Sequence, residues 1–211
     1  MQNTKTNILA EVAEYYTSKL VRHGETPQGV DWNGEESQTL RFIQLCKIVD
    51  NSSHFSINDL GCGYGALHDF LAFKYASFSY FGIDVAESMI RAAEKRYQDK
   101  NKVHFVLSSE PEQVADYGVA SGIFNVRLDR SDDEWMLYLE TTLGTLDRTS
   151  RFGFAFNCLT SYSDLGMMRD YLYYANPCVL FDLCKRRYSR NVSLLHDYGL
   201  YEFTILVRKQ P

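Results

Sequence analysis

The sequence predicts an α/β fold built on a doubly wound, mostly parallel sheet that ends in an antiparallel hairpin. From residue 55 onward, short β-prone runs alternate with stretches of helical periodicity. A glycine-rich turn follows the first of these runs, as at a strand-to-helix junction. Near the end, Val192–His196 and Tyr201–Arg208 are two strand-like runs joined by a short turn. Strand–helix–strand alternation predicts parallel strands with helices on both faces, and the final pair of runs predicts the hairpin.

Two helices are predicted before the first strand. Apolar residues recur at helical spacing over Ile8–Arg22, and His23 and Gly24 mark the end of that helix. A polar and aromatic loop over residues 25–34 follows, and a second helix is predicted over Glu35–Asp50.

The alternating region predicts five strands and four helices. The strands are Phe55–Leu60, Ser79–Asp84, Val103–Leu107, Tyr117–Ser121 and Phe152–Asn157. The helices are Ala66–Tyr75, Ala86–Tyr97, a short one near Pro111–Ala115, and Asp132–Thr145. Ser131 and Glu134 have the spacing of a capping box at the start of the last helix.

Composition limits the class of protein and its partners. The chain has 211 residues with 22 Lys and Arg against 27 Asp and Glu, a formal charge of −5. This length without repeat or linker predicts one domain over residues 1–211. We expect a cytoplasmic protein with no membrane span, since no apolar run is long enough and no signal peptide is visible. The acidic balance disfavours nucleic acid as a partner. The five cysteines lack zinc spacing, so we predict reduced thiols and no metal site.

The strongest motif is the glycine-rich turn, which carries Gly61, Gly63 and Gly65. Glycines let backbone approach a ligand closely, and a helix N-terminus offers free N–H groups. Gly61-x-Gly63-x-x-Ala66 satisfies the dinucleotide fingerprint, which leaves an NAD-dependent oxidoreductase open as an alternative. Asp59 favours another ligand, because a carboxylate beside the turn repels a pyrophosphate and attracts a cation.

The form Asp59-x-Gly-x-Gly-x-Gly resembles the first motif of the class I S-adenosylmethionine-dependent methyltransferases of small-molecule type. Asp84, 19 residues after Gly65, and the segment 85–93 resemble that family's second motif. The resemblance implies that the three glycines and Asp59 surround S-adenosylmethionine and that Asp84 binds its ribose hydroxyls. It also implies that Val85 and Met89 flank the adenine, although Met89 can equally be explained by helix–sheet packing.

The resemblance extends over residues 55–208 and implies the strand order 3-2-1-4-5-7-6 of the Rossmann-like methyltransferase fold. It places Ser109, with Glu110 as second choice, at the adenine amine and Ser121 at the amino-acid part of the cofactor. Asn125 would lie by the transferred methyl group. The product would be S-adenosylhomocysteine.

Departures from the family's patterns narrow the range of possible acceptors. The fourth motif has no Asn-Pro-Pro-Tyr or Asp-Pro-Pro-Tyr and no Pro-Cys nucleophile, which the nucleic-acid enzymes of the family use. We therefore expect a small-molecule acceptor, methylated on oxygen first and nitrogen next. A non-catalytic S-adenosylmethionine-binding protein stays open as a further alternative, and so does the oligomeric state.

The resemblance divides the chain into a helical lid (1–54), a cofactor-binding core (55–160) and an acceptor-side insert with the terminal hairpin (161–211). In the lid, the candidate cofactor contacts are Tyr16, Trp32, Gln38 and Arg41, the last for the cofactor carboxylate. The alternatives are that the rings of Tyr16 and Trp32 pack in the core and that Arg41 is a surface charge. Asn125, Tyr162 and His196 are the catalytic candidates: the first two would orient the acceptor, and His196, beside Asp197, would act as a base.

Overall fold

The computed structural model describes residues 2–50 and 54–209. Its helices are α1 (Gln2–His23), α2 (Glu35–Leu45), α3 (Ala66–Lys74), α4 (Glu87–Arg96), α5 (Asp132–Arg148) and α6 (Pro177–Arg187). Its strands are β1 (Phe55–Leu60), β2 (Phe78–Asp84), β3 (Val103–Leu107), β4 (Ala115–Ala120), β5 (Ser150–Leu159), β6 (Asn191–Leu195) and β7 (Glu202–Arg208). Short 3-10 turns occur at Pro27–Val30, Cys46–Ile48 and Leu165–Met167.

The strands form one sheet in the order β3-β2-β1-β4-β5-β7-β6, which confirms the predicted fold class. Strands β1 to β5 pair in parallel, whereas β7 runs antiparallel to both β5 and β6. The chain leaves β1 toward β2 on one side and reaches β4 on the other. The carboxyl end of β1 therefore lies at the switch point where open α/β sheets bind their ligands.

The helix predicted near Pro111–Ala115 is wrong, because the described chain forms bends there and then enters β4. Asn58 in β1 ties this segment to the sheet: its Nδ2 donates to the carbonyl of Gln113, and Gln113 Nε2 donates back to its Oδ1 at 2.8 Å. The helix predicted to reach Asp50 ends at Leu45 and continues as a 3-10 turn.

Two apolar layers cover the sheet. One face packs against α1, α5 and α6, with fully buried Trp135 and Leu139 from α5. The other face packs against α2 and α3 through side chains such as Leu45 and Leu71. The parallel sheet is therefore covered by helices on both faces, as in other α/β proteins. Among the described residues, no helix combines the length and apolar character needed to cross a membrane.

The predicted capping box is present at the start of α5. Ser131 Oγ accepts the Glu134 backbone N–H, and the Glu134 carboxylate accepts the Ser131 backbone N–H. We expect Ser131→Ala to lower the free energy of unfolding by about 1 kcal/mol, a fall in Tm of roughly 2–4 °C for a chain of this size. Ser161→Ala, at an exposed turn serine, serves as the control in the same thermal melts. Equal melting temperatures for the two variants would contradict a stabilising cap.

Candidate functional site

The glycine-rich turn lies at the carboxyl end of β1 and is built from left-handed backbone. Gly61, Gly63 and Gly65 have φ values of 78°, 55° and 84°. A Cβ on Gly63 would also lie 2.9 Å from Val30 Cγ1 of the loop above. Any other residue at Gly63 would therefore be strained and would fill the space between turn and loop.

Asp84 lies beside this turn because Leu60 pairs with Ile83 in the sheet. Its Oδ2 accepts the backbone N–H of Gly63 and its Oδ1 accepts that of Ala86, both at 2.9 Å. Burial raises the pKa of the Asp84 carboxyl, and the backbone hydrogen bonds oppose that shift. The carboxylate is thus held in one orientation at the end of β2 before any ligand arrives.

Asp59 is a second carboxylate, almost fully buried in β1 at 2% exposure. Its Oδ2 accepts the Tyr80 hydroxyl at 2.5 Å. Burial raises the pKa of Asp59 to about 7, with the Tyr80 hydrogen bond lowering it and the nearby Asp84 charge raising it further. Within the described chain, Asp59 has no Lys, Arg or His ion-pair partner. A cationic ligand group would stabilise its charged form.

These groups line a cavity, named here the first cavity, between the ends of β1, β2 and β4 and the helix α1. The candidates that line it are Tyr16, Trp32, Gln38, Asp59, Gly61, Gly63, Asp84, Val85, Met89, Ser109 and Ser121. Ser121 Oγ is buried without a hydrogen-bond partner among the described residues. The cavity therefore combines fixed backbone, two carboxylates and a free buried hydroxyl.

Gly65 and Arg41 do not line the first cavity. Gly65 is the residue before α3, and its carbonyl accepts the Tyr97 hydroxyl at 2.9 Å. Arg41 forms a buried, two-point ion pair instead: its Nε and Nη2 donate to Glu202 at 2.8 and 2.7 Å. Arg41 was predicted to bind the cofactor carboxylate, but the structure places it outside the first cavity.

A second cavity, of about 470 Å³, adjoins the first. Tyr16, Val30 and Trp32 line both, so these side chains form the shared wall. Asn125 is buried and lines the second cavity, where its Oδ1 accepts the Leu159 backbone N–H. The two cavities thus meet at one wall.

Tyr162 and His196 do not line either cavity. Both are exposed, and their rings lie 6.0 Å apart between centroids near the ends of β5 and β6. Their catalytic role stays a prediction, and their placement gives it no support.

Sequence reasoning missed a polar network that reaches the shared wall. Asn157 Oδ1 accepts the Gly122 backbone N–H at 2.7 Å, and its Nδ2 donates to Glu202 at 2.8 Å. Glu202 also accepts from Arg41, whose guanidinium stacks 3.9 Å from the Trp32 ring centroid. The partners are far apart in sequence, and the sequence contains no local signal for them.

Asp31 is a second missed residue. It has the left-handed φ of 64° that non-glycine residues adopt infrequently. Its carboxylate accepts the Tyr15 hydroxyl at 2.7 Å and Lys19 Nζ at 2.6 Å, and it lines the second cavity. Asp31 thus ends the 3-10 turn Pro27–Val30 in the left-handed conformation, with its carboxylate held by two side chains at the edge of the cavity.

Comparisons with known proteins agree with this geometry. The family model described as "Methyltransferase domain" matches residues 57–132. "Putative methyltransferase Rv1506c" of Mycobacterium tuberculosis is 60% identical over 163 residues, which cover 77% of this chain and 98% of that protein.

Solved structures of similar fold include two methyltransferases. Magnesium protoporphyrin IX methyltransferase from Synechocystis PCC 6803, with bound SAH, is 14% identical with a TM-score of 0.66 and covers 98% of this chain and 100% of its own. The N-methyltransferase NodS from Bradyrhizobium japonicum WM9, also with SAH, is 15% identical with a TM-score of 0.66. It covers 94% of this chain and 98% of its own.

Proposed function

Because this chain belongs to the methyltransferase family, we propose that it transfers a methyl group from S-adenosylmethionine to a small-molecule acceptor. The observation that carries the proposal is the first cavity. There the glycine turn holds the Asp84 carboxylate in place, and the Asp59 carboxylate has no ion-pair partner within the described chain. Membership of the family leaves the oxidoreductase alternative, which rested on the glycine fingerprint alone, without support.

The residues of the first cavity fit the cofactor. The two oxygens of Asp84 suit a pair of ribose hydroxyls, Asp59 suits the ammonium group, and the unpartnered Ser121 hydroxyl suits the amino-acid moiety. Bound there, S-adenosylmethionine supplies an electrophilic methyl group on its sulfonium. Val85, Met89 and Ser109 are proposed for the adenine side.

The second cavity is the proposed acceptor site. It meets the first at Tyr16, Val30 and Trp32, so an acceptor there can face the methyl group for in-line displacement. Positioning supplies most of the rate in such a reaction. Asn125 is the proposed orienting residue, through its side-chain amide.

The acceptor atom is proposed to be oxygen, with nitrogen next. A hydroxyl must lose its proton during transfer, and Asp31 is a carboxylate in the second cavity that can take it. A small acceptor is supported by the size of the cavity, and magnesium protoporphyrin IX is a small-molecule acceptor named for one structural neighbour.

Formation of S-adenosylhomocysteine from S-adenosylmethionine, across matched hydroxyl and amine acceptors, tests this function. We expect product with at least one small hydroxyl compound and a strong loss in Gly63→Ala. Cofactor binding without product from any acceptor would instead favour the non-catalytic alternative.

The pKa of Asp59 predicts a pH-dependent cofactor affinity. Pairing with the ammonium group should lower this pKa, so binding releases a proton and strengthens as the pH rises through 7. With a pKa of about 7 in the free protein, we expect the Kd for S-adenosylhomocysteine to fall roughly tenfold between pH 6 and pH 8. Tyr80→Phe removes the hydrogen bond that lowers the pKa and should move the midpoint to higher pH.

Isothermal titration at several pH values measures this effect. Asp59→Asn is the control, because the amide has the same shape and does not titrate. It should bind more weakly with little pH dependence in this range. An equal pH dependence in Asp59→Asn would assign the titration to another group.

A further inference from the structure

The second cavity contains a buried donor that the protein itself does not use. Arg41 is 6% exposed, and its Nε and Nη2 donate to Glu202. Its Nη1 has no hydrogen-bond partner among the described residues. A buried guanidinium N–H without an acceptor is costly, and Arg41 lines this cavity. An oxygen atom of a bound molecule would satisfy it.

The charges lining the cavity leave one positive charge unbalanced. Arg41 is neutralised by Glu202, and Asp31 is neutralised by Lys19. The guanidinium of Arg169, at the exposed rim, donates through Nη1 to the carbonyls of Gly166 and Met168 in its own loop. Within residues 2–50 and 54–209, Arg169 has no ion-pair partner. The cavity therefore favours a ligand that carries a single negative charge.

Aromatic side chains form much of the remaining wall. The rings that line it are Tyr16, Trp32, Tyr171, Tyr174 and Tyr201. Flat rings of this kind pack well against another ring, and each tyrosine adds a polar edge. A ligand with a ring fits this lining better than an extended flexible chain.

We propose that the acceptor is a ring-bearing carboxylic acid whose oxygens meet the free N–H groups of Arg41 and Arg169. The proposal rests on the methyltransferase function and names the substrate class of the second cavity. A carboxylate fits better than a phosphate monoester, because one unbalanced guanidinium offsets one negative charge.

The test uses the enzyme saturated with S-adenosylhomocysteine and three probes of one shape: benzoate, benzamide and phenyl phosphate. Isothermal titration should show benzoate binding at least about tenfold more tightly than benzamide, and more tightly than phenyl phosphate. Arg169→Gln should remove the preference for benzoate over benzamide. Arg41→Lys, which keeps a positive charge for Glu202 but removes the Nη1 group, should weaken benzoate binding severalfold.

Arg186→Gln is the control, since Arg186 is an exposed residue of α6 that pairs with Asp182. It should bind the probes like the unmodified protein. Equal binding of benzoate and benzamide, tighter binding of phenyl phosphate, no binding of benzoate, or an undiminished preference in Arg169→Gln would each overturn the proposal. Binding of S-adenosylhomocysteine to the unmodified protein is measured first. Absence of that binding would contradict the methyltransferase function and not the class of acceptor.

Discussion

Asp84→Ala is expected to weaken the binding of S-adenosylhomocysteine at least about 100-fold. The carboxylate would lose two charge-assisted hydrogen bonds to the ribose, each worth about 1.5–3 kcal/mol, and 1.4 kcal/mol corresponds to a tenfold change in affinity. Isothermal titration measures the effect directly. Burial raises the pKa of Asp84, so the folded protein gains little from its charge and the variant should still fold.

Two further variants make this experiment specific. Asp84→Asn keeps one acceptor oxygen for the backbone N–H groups and should bind with intermediate affinity. Asp182→Ala removes an exposed carboxylate of α6 and should bind normally. Unchanged affinity in Asp84→Ala, together with normal binding in Gly63→Ala, would show that the cofactor lies elsewhere.

The second large effect is on stability and concerns the buried ion pair between Arg41 and Glu202. Arg41→Met is expected to lower the free energy of unfolding by about 3–5 kcal/mol, because Glu202 would stay buried without its cation. For a chain of this size, this corresponds to a fall in Tm of roughly 6–20 °C. Thermal melts followed by circular dichroism measure it. The stacking contact with Trp32 would also be lost.

The double variant Arg41→Met with Glu202→Gln separates charge from packing. Glutamine removes the uncompensated charge and still offers an oxygen to Asn157 Nδ2. We therefore expect the double variant to regain a large part of the stability lost by Arg41→Met. A double variant less stable than the single one would show that the loss comes from packing and not from an unpaired carboxylate.

The parts of the structure that follow from local sequence were predictable. The positions of the five parallel strands agree with the prediction within a few residues, because each is a short β-prone run that alternates with stretches of helical periodicity. The glycine turn and Asp84 were also predictable from local sequence. The glycines indicate positive φ values, and Asp84 stands at the end of a predicted strand. Asp59 was selected because its charge stands beside that turn.

Features that depend on distant pairs were not predictable. Arg41 was proposed for the cofactor because nothing near it in sequence reveals Glu202, 161 positions away. The helix expected near Pro111–Ala115 does not form, because the Asn58 side chain, 55 positions earlier in β1, hydrogen-bonds to the carbonyl of Gln113. Asp31 is held by Tyr15 and Lys19 of α1, because the loop after that helix brings Asp31 back to it. In each case a tertiary hydrogen bond outweighs the local preference.

Thermal unfolding with several ligands in parallel is the simplest test of whether the first cavity binds S-adenosylmethionine. A ligand at 100 times its Kd adds about 2.7 kcal/mol to the stability of the folded state. We predict a rise in Tm with S-adenosylmethionine and with S-adenosylhomocysteine, and none with NAD(H). A rise with NAD(H) alone would contradict binding of S-adenosylmethionine in the first cavity and would identify the glycine turn as a dinucleotide site.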